Sequence, residues 1–232
     1  MSRLINKRKL ITVIDPRSPV SESYRTLRTN LDFSSIDEKL QVLMVTSAGP
    51  GEGKSTTITN LAVTFAQSDR KVVLIDCDMR KPTTHHTFTL SNRRGASSVL
   101  SSQLNLEDVI QSTSIPNLDI ITSGTIPPNP AEMIASNRMT AMLDELRQMY
   151  DIILVDTPPL LAVTDAQIAA TKSDGVILVV DQGKVKKDAA ARAVKNLELV
   201  KARILGVVLN NVKRNAKEQS YYYYYGNGEA GK

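Results

Sequence analysis

Several residue types are scarce in this chain, and each scarcity excludes a class of structure. Cysteine occurs once, as Cys77, which excludes an internal disulfide framework and an all-cysteine metal site. The two histidines, His85 and His86, are adjacent and do not share a face, so we expect them on the surface or in a substrate cleft. No apolar run approaches the roughly 18 residues that cross a bilayer, and the N-terminus lacks the apolar core of a signal peptide. These absences predict a cytosolic protein.

Aromatic residues make up only 4% of the chain, which limits the partners it can bind. The net charge is +5, and basic residues gather near the start, from Arg3 to Lys9, and between residues 184 and 217. Such clusters suit an anionic membrane or an acidic partner, although solvated helix faces explain each residue equally well. Nonspecific nucleic-acid binding relies on aromatic stacking, which is scarce here outside the last residues. We therefore expect no nucleic-acid partner.

A glycine-rich segment from Ser47 to Thr56 has the composition of a phosphate-binding loop. The run 42–45 before it predicts a buried strand, and apolar residues recur at helical spacing after it. In this context backbone N–H groups bind a phosphate chain, the Lys54 ammonium reaches the outer phosphates, and the Ser55 hydroxyl ligates Mg²⁺. The residues predicted to bind the nucleotide are Gly51, Glu52, Gly53, Lys54, Ser55 and Thr56.

Aspartates follow two further apolar runs. If the strand over 72–75 stays extended, Asp76 and Asp78 lie on one face, where two carboxylates are costly unless a cation sits between them. Asp156 ends the run 152–155, and an aspartate in that position usually holds Mg²⁺ in nucleotide hydrolysis sites. The predicted metal ligands are Ser55, Asp78 and Asp156. Cys77, beside these carboxylates, is predicted to be a core residue.

Apolar strands alternate with helical patterns along most of the chain. The pattern predicts a single α/β domain with a doubly wound, mostly parallel sheet. We expect an extended arm over residues 1–18, a nucleotide-binding domain over 19–216, and a flexible tail over 217–232. Within the domain we expect a helix over 20–33 with Ser21 as its N-cap, and short helices over 95–101 and 106–110. Further strands are expected over 118–122, 175–181 and 204–210.

Two charged or aromatic patterns stand apart from the predicted nucleotide site. Glu22, Arg25 and Arg28 recur every three residues on the first helix and form a charged strip, for which a solvated face is the ordinary explanation. Five of the seven tyrosines are consecutive near the end of the chain, and the glycines after them favour disorder. A packing strand or low-complexity drift would also account for these tyrosines. They are Tyr221, Tyr222, Tyr223, Tyr224 and Tyr225.

In combination, these motifs resemble the bacterial tyrosine kinases of capsule and exopolysaccharide assembly, in the form that is a separate chain. The resemblance covers nearly the whole sequence. It implies the cofactors ATP and Mg²⁺, catalysis by Lys54 and the aspartates, and autophosphorylation in trans of the tail tyrosines. The resemblance also implies that Glu22, Arg25 and Arg28 build a ring-shaped homo-oligomer, with an octamer as one size. The implied partners are a membrane adaptor that activates the kinase and recruits it from the cytoplasm to the inner face of the membrane, sugar-nucleotide enzymes as substrates, and a tyrosine phosphatase.

The phenol of a tyrosine must lose its proton as the phosphoryl group arrives. We predict Asp76 as the base, although Asp76 and Asp78 are interchangeable on sequence grounds. Asn210, after the last strand, is a weaker candidate for contacting adenine.

A positioning ATPase of the MinD and ParA group is the alternative. Such proteins share the fold and both aspartate motifs, but they usually have a second lysine in the phosphate-binding loop, where this chain has Gly49. Those that bind membranes end in an amphipathic helix, in place of which this chain has tyrosines and glycines. A strict phosphate-binding loop also has glycine at the position of Ala48, so the loop is a relaxed variant. The absence of the second lysine and of the amphipathic helix both favour the kinase over the positioning ATPase.

Overall fold

The computed structural model describes residues 10–34 and 40–212. Within them, the strands are β1 (Val42–Ser47), β2 (Val72–Asp76), β3 (Ile110–Ser112), β4 (Leu118–Ile121), β5 (Ile152–Asp156), β6 (Gly175–Asp181) and β7 (Ile204–Asn210). They form one sheet in the order β3-β4-β2-β5-β1-β6-β7. Neighbouring strands are parallel except β3, which pairs antiparallel with β4. The predicted doubly wound, mostly parallel α/β fold is therefore confirmed.

The helices cover both faces of the sheet. They are α1 (Ile11–Ile14), α2 (Pro19–Phe33), α3 (Lys54–Ala66), α4 (Thr84–Phe88), α5 (Ala96–Leu100), α6 (Pro130–Ala135), α7 (Asn137–Met149), α8 (Asp165–Ala170) and α9 (Lys187–Leu199), with a 3₁₀ turn at Glu107–Val109. None of the helices in the described ranges is long and apolar enough to span a membrane. The basic residues 1–9 and the tail with Tyr221–Tyr225 lie outside the described residues.

The central strands are buried on both faces, as their continuous apolar runs predict. On β1, Val42 and Met44 pack into the core beneath α5 to α9, whereas Leu43 and Val45 pack into the core beneath α2 and α3. This alternation follows from the two-residue period of a strand. Because β1, β2, β4, β5, β6 and β7 run parallel, their carboxyl ends all lie at the same edge of the sheet.

The extended arm predicted for residues 1–18 is wrong over Ile11–Ile14, which form a helical turn. The reason is a long-range contact, because the backbone N–H and the hydroxyl of Thr12 both donate to Asn60 Oδ1 on α3, over 3.1 and 2.9 Å. Both residues are buried. No local pattern announces such a partner 48 residues away.

The first long helix begins one residue earlier than predicted, and its cap differs. Ser18 is the N-cap, since its Oγ accepts from the N–H of Ser21 over 3.2 Å, and Pro19 occupies the first turn. The Ser21 hydroxyl, predicted to cap the helix, donates instead to the carbonyl of Asp15 over 2.7 Å.

Three short elements between β2 and β4 also depart from prediction. The helix expected over 106–110 is a 3₁₀ turn, and Ile110 belongs instead to β3, which was not predicted. Helix α4 was not predicted either. These elements have three to five residues, too few to establish a period.

We expect Gly95→Ala to destabilise the fold. A Cβ at Gly95 would overlap the carbonyl oxygen of Thr122 and the backbone nitrogen of Gly124, neither of which is the end of a flexible side chain. Overpacking of this kind should lower the free energy of unfolding by about 1–3 kcal/mol, measured by urea denaturation. Gly206→Ala is the control, because a Cβ there meets nothing within 4 Å. Equal losses in the two variants would contradict this account.

Candidate nucleotide-binding site

The glycine-rich segment connects β1 to α3 at the carboxyl edge of the sheet. Gly51 and Gly53 have φ angles of +74° and +95°, a region that favours glycine. Gly53 is the N-cap of α3, and no side chain caps this end of the helix within the described residues. The N–H groups of the first turn are thus available to an anion, which is the geometry of a phosphate-binding loop.

Asn210, at the end of β7, holds the phosphate-binding loop from one side. Its Nδ2 donates to the carbonyl oxygen of Glu52 over 3.0 Å. The same carboxamide leaves no room for a side chain at Gly53, where a Cβ would overlap Nδ2. Asn210 therefore braces the loop. Its contact with adenine stays a prediction.

Glu52 points back into its own loop. Its side chain is buried and accepts a hydrogen bond from the N–H of Gly49. Burial raises the pKa of this carboxyl above its usual value, against the effect of that hydrogen bond. Lys184, a residue that sequence reasoning missed, donates to the carbonyl of Gly51 over 3.2 Å. The Glu52 side chain therefore contributes to the shape of the loop through its bond to Gly49.

Lys54 lies at the centre of the site. Its Nζ is 3.0 Å from Asp78 Oδ2, 3.5 Å from Asp156 Oδ1 and 3.1 Å from Ser55 Oγ. Burial alone lowers the pKa of the Lys54 ammonium, but Asp156 and Asp78 outweigh it and raise that pKa. We call these four residues the lysine cluster. The strand order β2-β5-β1 creates it, because these strands are neighbours and end at one edge.

The oxygen atoms of the lysine cluster fit a magnesium ion. Ser55, Asp78 and Asp156 offer a hydroxyl and two carboxylates, the hard donors that Mg²⁺ prefers. In the described part of the chain, no group of three or more histidine, cysteine, aspartate or glutamate side chains is placed to hold a metal. A Mg²⁺ ion bound to nucleotide phosphates needs only one or two carboxylates from the protein, so it does not require such a group. These residues therefore suit a metal that arrives with a nucleotide.

Asp76 and Asp78 have different environments, unlike the shared face expected for them. Strand β2 ends at Asp76, so the alternation does not continue to Asp78. Asp76 is fully buried, and its carboxylate accepts hydrogen bonds from the N–H groups of Thr83, Thr84 and Asp78 over 3.0 to 3.1 Å. Burial, followed by the charge of Asp156, raises the pKa of Asp76 to about 7. Asp78 instead pairs with Lys54.

The charged strip on α2 has partners within its own chain. Arg25 Nη1 lies 2.6 Å from Glu22 Oε2, and Arg28 Nη1 donates to the carbonyl of Thr64 on α3 over 2.9 Å. The strip therefore links α2 to the helix that follows the phosphate-binding loop.

Two further predictions concern residues outside the lysine cluster. On α4, His85 is half-buried and His86 is exposed. Cys77 is buried in the core, as predicted.

A mostly parallel sheet with a phosphate-binding loop after an interior strand, and aspartates at the ends of two neighbouring strands, defines a P-loop nucleotide-binding protein. Residues 40–210 match the protein family described as an AAA domain. The tyrosine-protein kinase YwqD of Bacillus subtilis (strain 168) is 47% identical over 218 residues, which are 94% of this chain and 92% of YwqD. The putative tyrosine-protein kinase CapB of Staphylococcus aureus is 41% identical over 91% of this chain and 92% of CapB. The chain belongs to the bacterial tyrosine-protein kinases.

Solved structures agree with this assignment. The crystal structure of the chimerical protein CapA2B2 aligns with a TM-score of 0.86 at 42% identity, covering 88% of this chain and 90% of that one. The septum site-determining protein MinD of Pyrococcus horikoshii, complexed with Mg-ADP, aligns with a TM-score of 0.65 at 24% identity over 76% of this chain and 72% of MinD. The similarity to MinD shows the fold alone. The predicted family and the predicted protein-tyrosine kinase activity are therefore confirmed.

Proposed function

We propose that this kinase transfers a phosphoryl group from Mg-ATP to Tyr221–Tyr225 of a neighbouring copy, and that it thereby regulates capsule or exopolysaccharide synthesis. The observation that carries the proposal is the lysine cluster, where a buried cation faces two carboxylates and a hydroxyl beside a helix N-terminus. This is the arrangement that phosphoryl transfer requires, since its catalysis is mostly positioning and charge stabilisation.

The chain's own residues would divide the work of binding. The N–H groups from Gly51 to Thr56 hold the phosphates, and Lys54 exchanges its carboxylate partners for the outer phosphates. Ser55, Asp78 and Asp156 hold Mg²⁺, which neutralises charge on the transferred group. Asn210, which already braces the phosphate-binding loop, contacts the adenine ring.

Asp76 is the proposed base for the phenol proton. Burial raises the pKa of its carboxyl above the usual range of an aspartate, and a base works best when its pKa lies near the operating pH. Its oxygens are covered by the N–H groups of Thr83 and Thr84, so the phenol reaches Asp76 only if those residues move. Asp78 is the competing assignment, and variants separate the two.

Assembly and partners complete the proposal. Glu22, Arg25 and Arg28 take part in a ring of identical chains, in which each tail reaches the site of a neighbour. A membrane adaptor recruits the ring to the inner face of the membrane and activates it, with sugar-nucleotide enzymes as substrates and a tyrosine phosphatase to reverse the reaction. One solved relative is a chimerical protein named CapA2B2, which is in keeping with a kinase that works with a second chain. The name of CapB supports a role in capsule formation.

Transfer between copies can be tested with two complementary variants. One is Lys54→Met, which keeps the tail but lacks the ammonium, and the other is a deletion of residues 221–225 with an intact site. We expect each variant alone to carry no tail phosphotyrosine, whereas the mixture gives phosphate on the tail of the Lys54→Met chain. Mass spectrometry after incubation with Mg-ATP, with and without the cytoplasmic segment of the adaptor, locates the phosphate.

The intact protein is the control for that experiment. Its phosphorylation together with an unmodified mixture would contradict transfer between copies. Steady hydrolysis of ATP by the intact protein, with no phosphotyrosine under either condition, would favour a MinD-like switch instead.

Asp76→Asn and Asp78→Asn distinguish the base from the metal ligand. Asp76→Asn should keep the affinity for Mg-ATP and lower the rate of phosphotyrosine formation by about 10²–10⁴-fold. Asp78→Asn should weaken nucleotide binding in magnesium but not in EDTA. Calorimetry measures the affinities and quenched-flow assays measure the rates. If Asp76→Asn weakened binding as much as transfer, the base assignment would be wrong.

A further inference from the structure

Arg80 and Asp165 form a two-pronged ion pair next to the lysine cluster. Arg80 Nε lies 2.9 Å from Asp165 Oδ2, and Nη2 lies 2.9 Å from Oδ1. Asp165 begins α8 and its side chain is fully buried, whereas the Arg80 side chain is 41% exposed. A buried carboxylate needs such a partner, because leaving it unpaired is strongly destabilising. The pair therefore has a structural role, and its position beside the metal-binding aspartates gives it a second one.

The ion pair joins the two segments that follow the metal-binding aspartates. Arg80 lies two residues after Asp78, in a turn where the N–H of Lys81 donates to Asp78 Oδ1 over 3.1 Å. Asp165 comes directly after the segment 157–164, which itself follows Asp156. The ion pair thus connects the chain segment that contains Asp78 to the segment that follows Asp156.

The segment 157–164 is also bonded to the start of the phosphate-binding loop. The N–H groups of Leu160 and Leu161 donate to the carbonyls of Ser47 and Ala48, over 2.8 and 3.2 Å. These contacts therefore connect the phosphate-binding loop and both aspartate segments to one another. The loop is bonded to segment 157–164, Asp165 after that segment is bonded to Arg80, and Asp78, two residues before Arg80, is bonded to Lys54 of the loop.

We propose that Arg80 is a positioning residue for magnesium. Through Asp165 it sets the separation of Asp78 and Asp156, and so the extent to which Mg²⁺ strengthens nucleotide binding. The inference rests on the proposed metal role of those two aspartates. In the structure Lys54 draws both carboxylates together, but a lysine that turns toward phosphates no longer does so. The Arg80–Asp165 pair does not involve Lys54, so a movement of Lys54 leaves it intact.

The test compares Arg80→Lys with Arg147→Lys. Lysine keeps a positive charge near the buried Asp165 but cannot reproduce the planar two-pronged contact. Arg147 is the matched control, since it pairs with Asp174 in the same way, over 2.9 and 2.6 Å, and Asp174 accepts from the N–H groups of Gln41 and Val42 at the start of β1, opposite the carboxyl edge.

The measurement is the affinity for ADP by calorimetry, once with Mg²⁺ and once with EDTA, alongside urea unfolding of each variant. Arg80→Lys should reduce the gain in affinity that Mg²⁺ confers by about 10-fold or more and leave the affinity in EDTA unchanged. Arg147→Lys should leave the gain intact, whatever it does to unfolding. An unchanged gain in Arg80→Lys would mean that the pair is only structural.

Asp156→Asn separates failure of this inference from failure of the proposed function. If Asp156→Asn removes the gain from Mg²⁺ and Arg80→Lys does not, the metal site stands and the positioning role of Arg80 is wrong. If neither variant changes the gain, the metal assignment itself is wrong, and the inference fails with it.

Discussion

The attraction between one buried ammonium and two buried carboxylates holds the functional edge of this protein together. Lys54, Asp78 and Asp156 are all shielded from water, and each charge would be costly there without the others. Because moving Lys54 away would leave two buried carboxylates without their cation, that movement demands a replacement. A magnesium ion that arrives with ATP is such a replacement. The nucleotide-free site is thus maintained by an ion pair that the ligand is suited to take over.

This interaction depends on the order of the strands. Strand β5 lies between β1 and β2, so the phosphate-binding loop and both aspartate segments leave the sheet side by side. The Asp76 and Asp156 positions are direct partners in the register of β2 and β5. Lys54 pairs with Asp78 and Asp156, whereas Asp76 accepts hydrogen bonds from the backbone N–H groups of Thr83 and Thr84. One edge therefore carries three carboxylates in two environments.

The sequence predicted this edge because each part of it has a local pattern. Continuous apolar runs predicted the buried parallel strands, and the spacing of the glycines, Lys54 and Ser55 predicted the phosphate-binding loop. Contacts between distant residues have no local pattern, so the Thr12–Asn60 and Arg80–Asp165 pairs were missed. The turn after β2 changes the direction of Asp78, which alternation along a strand cannot foresee. Short β3 has too few residues to show a period.

The central claim is that the lysine cluster is the site of Mg²⁺ and the nucleotide phosphates. The most direct measurement is a crystal structure of the full chain grown with Mg-ADP. The account predicts Mg²⁺ at about 2.0–2.1 Å from Ser55 Oγ, with Asp78 and Asp156 bound to it directly or through water. It also predicts that Lys54 Nζ has moved from the two carboxylates to a phosphate oxygen. A nucleotide bound elsewhere, or Lys54 still paired with both aspartates beside a bound nucleotide, would contradict it.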